Sequence, residues 1–128
     1  MIRYGFTKEL DISFHNAVDK VTNELKKEGF GILTRIDVKE KIKEKLGIDF
    51  KRYEILGACH PKSAHEAILA EENIGLMLPC NVIVYEKNGK TRVSIIKPTM
   101  AMGMIDNDIL KSIAEKVESK LERVFNQL

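Results

Sequence analysis

The chain reads as an α+β protein: one sheet, with a β-hairpin in its C-terminal half, packed against amphipathic helices and ending in a long helix. Three observations carry that reading. Asn88-Gly89 lies between two runs rich in β-branched residues, the strongest short signal for a two-residue hairpin turn. Residues 38–46 and 107–125 repeat apolar side chains at helical spacing. Strand-like and helix-like runs succeed one another along 128 residues without a linker or an internal repeat. That order places residues 1–128 in a single domain with helices laid on one sheet.

From the N-terminus, residues 2–6 form the first expected strand. Asp11 or Ser13 then opens a helix whose apolar positions Phe14, Val18, Val21 and Leu25 fall on one side, with Gly29 at its C-terminal end. Residues 30–36 are apolar and β-branched, a second strand. Asp37 and Glu40 make a D-x-x-E variant of the capping box, after which Val38, Ile42 and Leu46 recur every four residues until Gly47 closes the helix. Residues 52–59 read as a third strand, ended by His60-Pro61.

Ser63 and Glu66 suggest a second capping box, opening a helix with Ala64, Ala67 and Ile68 on one face and ending near Asn73. The apolar stretch over residues 74–78 is broken by Pro79, which cannot donate to a central ladder. Residues 81–86 and 91–97 are the hairpin strands. Val82-Ile83-Val84-Tyr85 is apolar at successive positions and predicts cover on both faces, whereas Val93 and Ile95 alternate with Arg92 and Ser94. Met100, Met102 and Met104 alternate in the link after Pro98; if it is extended, their sulfurs point one way. The last helix carries a stripe of Ile109, Ile113, Val117, Leu121 and Val124 with Phe125.

Composition narrows the function. The chain is 44% hydrophobic and 31% charged, which excludes disorder, and no apolar run is long enough to cross a bilayer. The first residues lack the basic-then-apolar order of a signal peptide, so a cytoplasmic protein without membrane contact is expected. Net charge is +2 with acidic and basic residues interleaved; runs such as Lys39-Glu40-Lys41 read as solvated faces, and no nucleic-acid partner is expected. There is no P-loop, G-x-G-x-x-G, H-E-x-x-H or G-x-S-x-G, which sets aside classical nucleotide-dependent and triad enzymes.

One place offers chemistry: Cys59-His60-Pro61, then His65, then Pro79-Cys80-Asn81. Two cysteines in a reducing compartment argue against a structural disulfide. Cys59 leaves a strand just before a helix, where unpaired backbone N–H groups activate a thiol. If strands 52–59 and 80–86 are antiparallel neighbours, Cys59 and Cys80 meet; if parallel, they are a strand length apart. Four readings compete. The first is packing, with two buried cysteines, one capping histidine and one surface histidine, since the spacing matches no standard zinc motif. The second is a transition-metal centre, such as zinc or copper, held by Cys59, Cys80, His65 and His60. The third is a catalytic thiol, Cys59 attacking and Cys80 resolving. The fourth is a small-molecule pocket that includes these side chains. His15, in the first helix, reads as structural or exposed. Whether the chain is an enzyme is left open by its residues.

Gly29-Phe30-Gly31-Ile32-Leu33-Thr34-Arg35-Ile36-Asp37-Val38, Ile55-Leu56-Gly57-Ala58-Cys59-His60-Pro61 and Ile74-Gly75-Leu76-Met77-Leu78-Pro79-Cys80-Asn81-Val82 resemble the microbial family called domain of unknown function 302. The resemblance spans nearly the whole chain, in order and with similar spacing. It implies a compact α+β fold assembled as a homodimer, and it implies no activity. The family pattern has cysteines matching Cys59 and Cys80 and often a histidine matching His65. At His60 this chain departs from it, because relatives more often resemble Cys-Asn-Pro. The functional expectation is therefore a cysteine/histidine pocket that binds a transition metal or carries a reactive thiol. The alternative is a non-catalytic homodimeric module with structural cysteines, working through the last helix and the link over residues 100–104.

Overall fold

The computed structural model describes residues 2–128; Met1, the first residue of the expected domain, lies outside the described residues. The chain runs β1 (Gly5–Leu10), α1 (Phe14–Lys27), β2 (Gly31–Asp37), α2 (Val38–Leu46), β3 (Tyr53–Cys59), α3 (Pro61–Ala70), a 3-10 helix (Glu72–Met77), β4 (Cys80–Lys87), β5 (Lys90–Ile96), the short α4 (Pro98–Ala101) and α5 (Asp108–Asn126). The strands form one sheet in the order β1-β5-β4-β3-β2, every pair antiparallel. Fold class, hairpin and long final helix agree with the sequence. Asn88 and Gly89 both take positive φ, 53° and 75°, as the two centre residues of a type I′ hairpin turn must.

Local signals set most helix ends. The Ser13 hydroxyl accepts from Asn16 N–H at 3.2 Å and opens α1. The Asp37 carboxylate accepts from Glu40 N–H at 3.0 Å, and Gly47 closes α2 in the left-handed conformation. Asn107 caps α5 by accepting from Leu110 N–H at 3.0 Å.

The core lies between the sheet and α1, α3 and α5. Val18, Val21 and Leu25 of α1, with Leu121 and Val124 of α5, meet Leu56, Val82, Val84, Val93 and Ile95 from the three central strands. Residues directly opposite in an antiparallel ladder share a face, so the register sorts the sheet. Leu56↔Val82 and Val84↔Val93 face the helices, while Tyr53↔Tyr85, Ile55↔Ile83 and Ser94↔Thr7 face away. On that open face Tyr53 stacks on Tyr85 with ring centroids 5.5 Å apart, and the Thr7 and Ser94 hydroxyls are hydrogen-bonded.

Several expectations are corrected. The first strand is Gly5–Leu10 rather than residues 2–6, because Phe6 and Leu10 complete the helix-side face opposite Ile95 and Thr91. β4 is buried on one face only; Ile83 and Tyr85 are half-buried on the other. α3 begins two residues before the expected Ser63 capping box and ends at Ala70, with Glu71 extended and a 3-10 turn taking up the apolar run. In α5 the buried stripe uses Leu110, not Ile109, which is 66% exposed. Because that stripe packs on the sheet, it is not available as the working surface of an interaction module. The methionine link is not extended: α4 turns Met102 into the core while Met100 and Met104 face outward, so the sulfurs diverge.

Leu56, 1% exposed in the middle of β3, should be costly to truncate. Leu56→Ala should lower the free energy of unfolding by about 2–5 kcal/mol in urea titration; a loss below about 1 kcal/mol would contradict this placement of the core.

Candidate functional site

β3 and β4 pair with Ala58 opposite Cys80, so the exit of one strand meets the entrance of the other and Cys59 lies one residue past the paired position. This is the arrangement in which the two cysteines meet. Both are free thiols and half-buried. Pairing this close depends on Gly57, where a Cβ would collide with Thr34 Oγ1 and fall 2.7 Å from Pro79 Cγ.

Both thiols line a cavity of 280 Å³ roofed by α3 and α5. Ala58 and Cys80 form part of its floor. Ala64 and Ala67 of α3 face Ile113, Ala114 and Val117 of α5 across it, and Phe30, Pro98 and Met102 close the sides. Short alanine side chains where two helices approach leave space that larger residues would fill. Nearly all of the lining is apolar, and no lysine, arginine, aspartate or glutamate contributes to it.

His60 is at the edge of the cavity with its ring committed to structure. Its Nδ1 accepts from Ser63 N–H at 3.4 Å and lies 2.9 Å from Ser63 Oγ, so His60, with Pro61 in the first turn, caps α3. With Nδ1 accepting, the ring hydrogen belongs on Nε2. That nitrogen lies against Gly29, where a Cβ would sit 3.1 Å from both Nε2 and Cδ2. Phe30 meets the ring edge-on with centroids 5.4 Å apart. Gly29 serves twice, holding φ at +86° and making room for the imidazole. Burial, with Lys120 and Lys62 adding repulsion that Glu66 only partly offsets, lowers the His60 pKa.

The expected ligand set Cys59, His60, His65 and Cys80 is not assembled. His65 is exposed on α3 and does not line the cavity that the other three share. Among the described residues no group of three or more His, Cys, Asp or Glu is arranged to hold a metal ion. His15 is exposed, 3.5 Å from Asp19. Burial, with the neighbouring Cys59 adding to it, pushes the Cys80 thiol up to about 11. Cys80 is therefore a protonated wall group at neutral pH, poorly suited to resolve a disulfide rapidly. The apolar wall itself was missing from the expected site; the available signal was the recurrence of alanine at 64, 67 and 114 on two helices.

A family model described as Domain of unknown function DUF302 matches residues 6–128. The chain belongs to the DUF302 family. A solved structure described as the crystal structure of uncharacterized conserved protein DUF302 from Bacillus stearothermophilus is 33% identical, covers 98% of this chain and 98% of that one, and superposes with a TM-score of 0.90. No curated protein matches the chain. No helix among the described residues of this DUF302 protein is long and apolar enough to cross a membrane.

A thiol kept protonated by the fold stabilises it below the unfolded pKa of about 8.5, and that contribution is lost as pH rises through about 11. Urea midpoints should fall over that interval, and Cys80→Ala should flatten the fall; equal slopes would contradict the burial of Cys80. The lowered pKa of His60 acts in the opposite sense, stabilising the fold above about pH 6.5 and losing that effect as pH falls through its folded value. His60→Asn, which keeps a capping acceptor, should remove this acid sensitivity at little cost at pH 8, whereas His60→Ala should cost about 1 kcal/mol in the same titration.

Proposed function

We propose that this DUF302 chain is a small-molecule-binding module whose apolar cavity, with the Cys59 and Cys80 thiols in its wall, receives a compact apolar ligand. The observation that carries the reading is the unfilled 280 Å³ between α3, α5 and the ends of β3 and β4. Enclosed in a core, such a void would cost about 7 kcal/mol at the usual penalty per unit volume, as much as the whole stability of many domains. An opening on one side lowers the cost and supplies an entrance.

The test uses a neutral apolar dye, N-phenyl-1-naphthylamine, titrated into the protein. Saturable fluorescence enhancement with micromolar affinity and one site per chain is expected. Ala64→Leu, which projects into the space from a half-buried wall position, should weaken binding at least tenfold while leaving circular dichroism and thermal midpoint at or above the parent values. No enhancement with the parent protein, or unchanged binding in the filled variant, would overturn the proposal.

A second reading, homodimerisation, is favoured by the open sheet face. The half-buried Tyr53, Ile55, Ile83 and Tyr85 form an apolar band there, and Arg92 Nε, from the strand register on the same face, is buried without a hydrogen-bond partner. The accessible surface of 7965 Å² exceeds by about 1,000 Å² what a folded monomer of this mass exposes, close to one partner's share of a standard interface. Sedimentation at micromolar concentration should give a dimer that Ile83→Lys converts to monomer; a monomeric parent would remove this reading and leave the cavity reading untouched.

A further inference from the structure

We infer that the ligand is a small apolar carboxylate, its hydrocarbon part in the cavity and its anionic head at the mouth beside His60, Lys62 and Lys120. The inference rests on the cavity being a binding site and adds the chemical class.

The two ends of the cavity differ. Its deep end is made of Ala58, Pro98, Met102, Ile113 and Val117, all buried. An ionised group there would lose its hydration with no polar partner to replace it, so any charge on the ligand must stay near the entrance. The entrance is marked by the lining residues that reach solvent: Leu33, 67% exposed, Ile68, and the half-buried His60 and Ser63. The polar side chains of the lining, His60 and Ser63, are thus at this end. Lys62 immediately precedes Ser63 on the exposed side of the first turn of α3. Lys120, half-buried on α5, is near enough to the entrance residue His60 to act on it electrostatically.

Both lysines act electrostatically on His60, as does Glu66 with the opposite sign. Neither Lys62 nor Lys120 is within ion-pair distance of a carboxylate among the described residues. The mouth therefore carries two cations without ion pairs and one acidic side chain, a net positive charge, over a pit lined by apolar groups. A cationic amphiphile meets repulsion here. A neutral one gains the apolar contact alone, and a carboxylate gains both.

The test is displacement of N-phenyl-1-naphthylamine by decanoate, decanol and decylamine at pH 8. Decanoate should bind about fivefold more tightly than decanol at low salt, the scale expected of two partly exposed charges, and decylamine should be weakest. The preference should shrink in 0.5 M salt, where charges are screened over a few ångströms. Lys62→Gln/Lys120→Gln should erase the difference between decanoate and decanol while leaving decanol affinity unchanged, which separates loss of charge from loss of fold. Decanol binding as well as decanoate would overturn the carboxylate assignment, and a preference that survives the double substitution would overturn the placing of the anionic head at Lys62 and Lys120, in both cases with the cavity reading intact. Failure of the dye itself to bind would overturn the cavity reading and this inference with it.

Discussion

The pairing of Ala58 with Cys80 is the constraint on which the rest of the molecule depends. An antiparallel pair brings the end of one strand to the beginning of the next, and here it joins residues that are separated by α3 and a 3-10 turn. Gly57 lets β2, β3 and the Pro79 ring approach closely at this point. Once the two strand ends are fastened, α3 must leave from His60 directly above them, and α5 must cross the same end of the sheet to cover what α3 leaves bare. Cys59, His60 and Cys80 share a neighbourhood because of that geometry, whatever their chemistry.

The helices cover one face of the sheet, and they cover it unevenly. Against α1 the core is filled by Val18, Val21 and Leu25 meeting valines and isoleucine of the central strands. Between α3 and α5 the facing side chains include three alanines, and the fill stops short. Burial of a large aliphatic side chain contributes roughly 1.5–3 kcal/mol, so leucine at one of those positions is readily available to a sequence selected for stability alone. The proposed ligand would account for alanine at these three positions beside the two thiols.

Features governed by nearest neighbours were legible in the sequence. Asp37 and Gly47 bracket α2, Asn107 begins α5, and Asn88-Gly89 turns the hairpin, each through a local backbone requirement. What failed needed three dimensions. The Ser63 box lost to His60 because Pro61 suits the first helical turn and an imidazole nitrogen can stand where an asparagine oxygen caps. Ile109 and Leu110 are adjacent and equally apolar, and only the packing of α5 distinguishes them. The proximity of Cys59 and Cys80 turned on strand direction, and the cavity turned on side chains that are absent, which no residue pattern records directly.

The reading of the site depends on the space between α3 and α5 being an apolar cavity open to a ligand. A crystal of the protein pressurised with xenon tests it most directly, since an apolar void that water occupies poorly takes up the gas. A well-occupied xenon atom is expected among Ala64, Ala67, Ala114 and Cys80. Collapse of the two helices onto each other, or ordered water hydrogen-bonded throughout that volume, would contradict it.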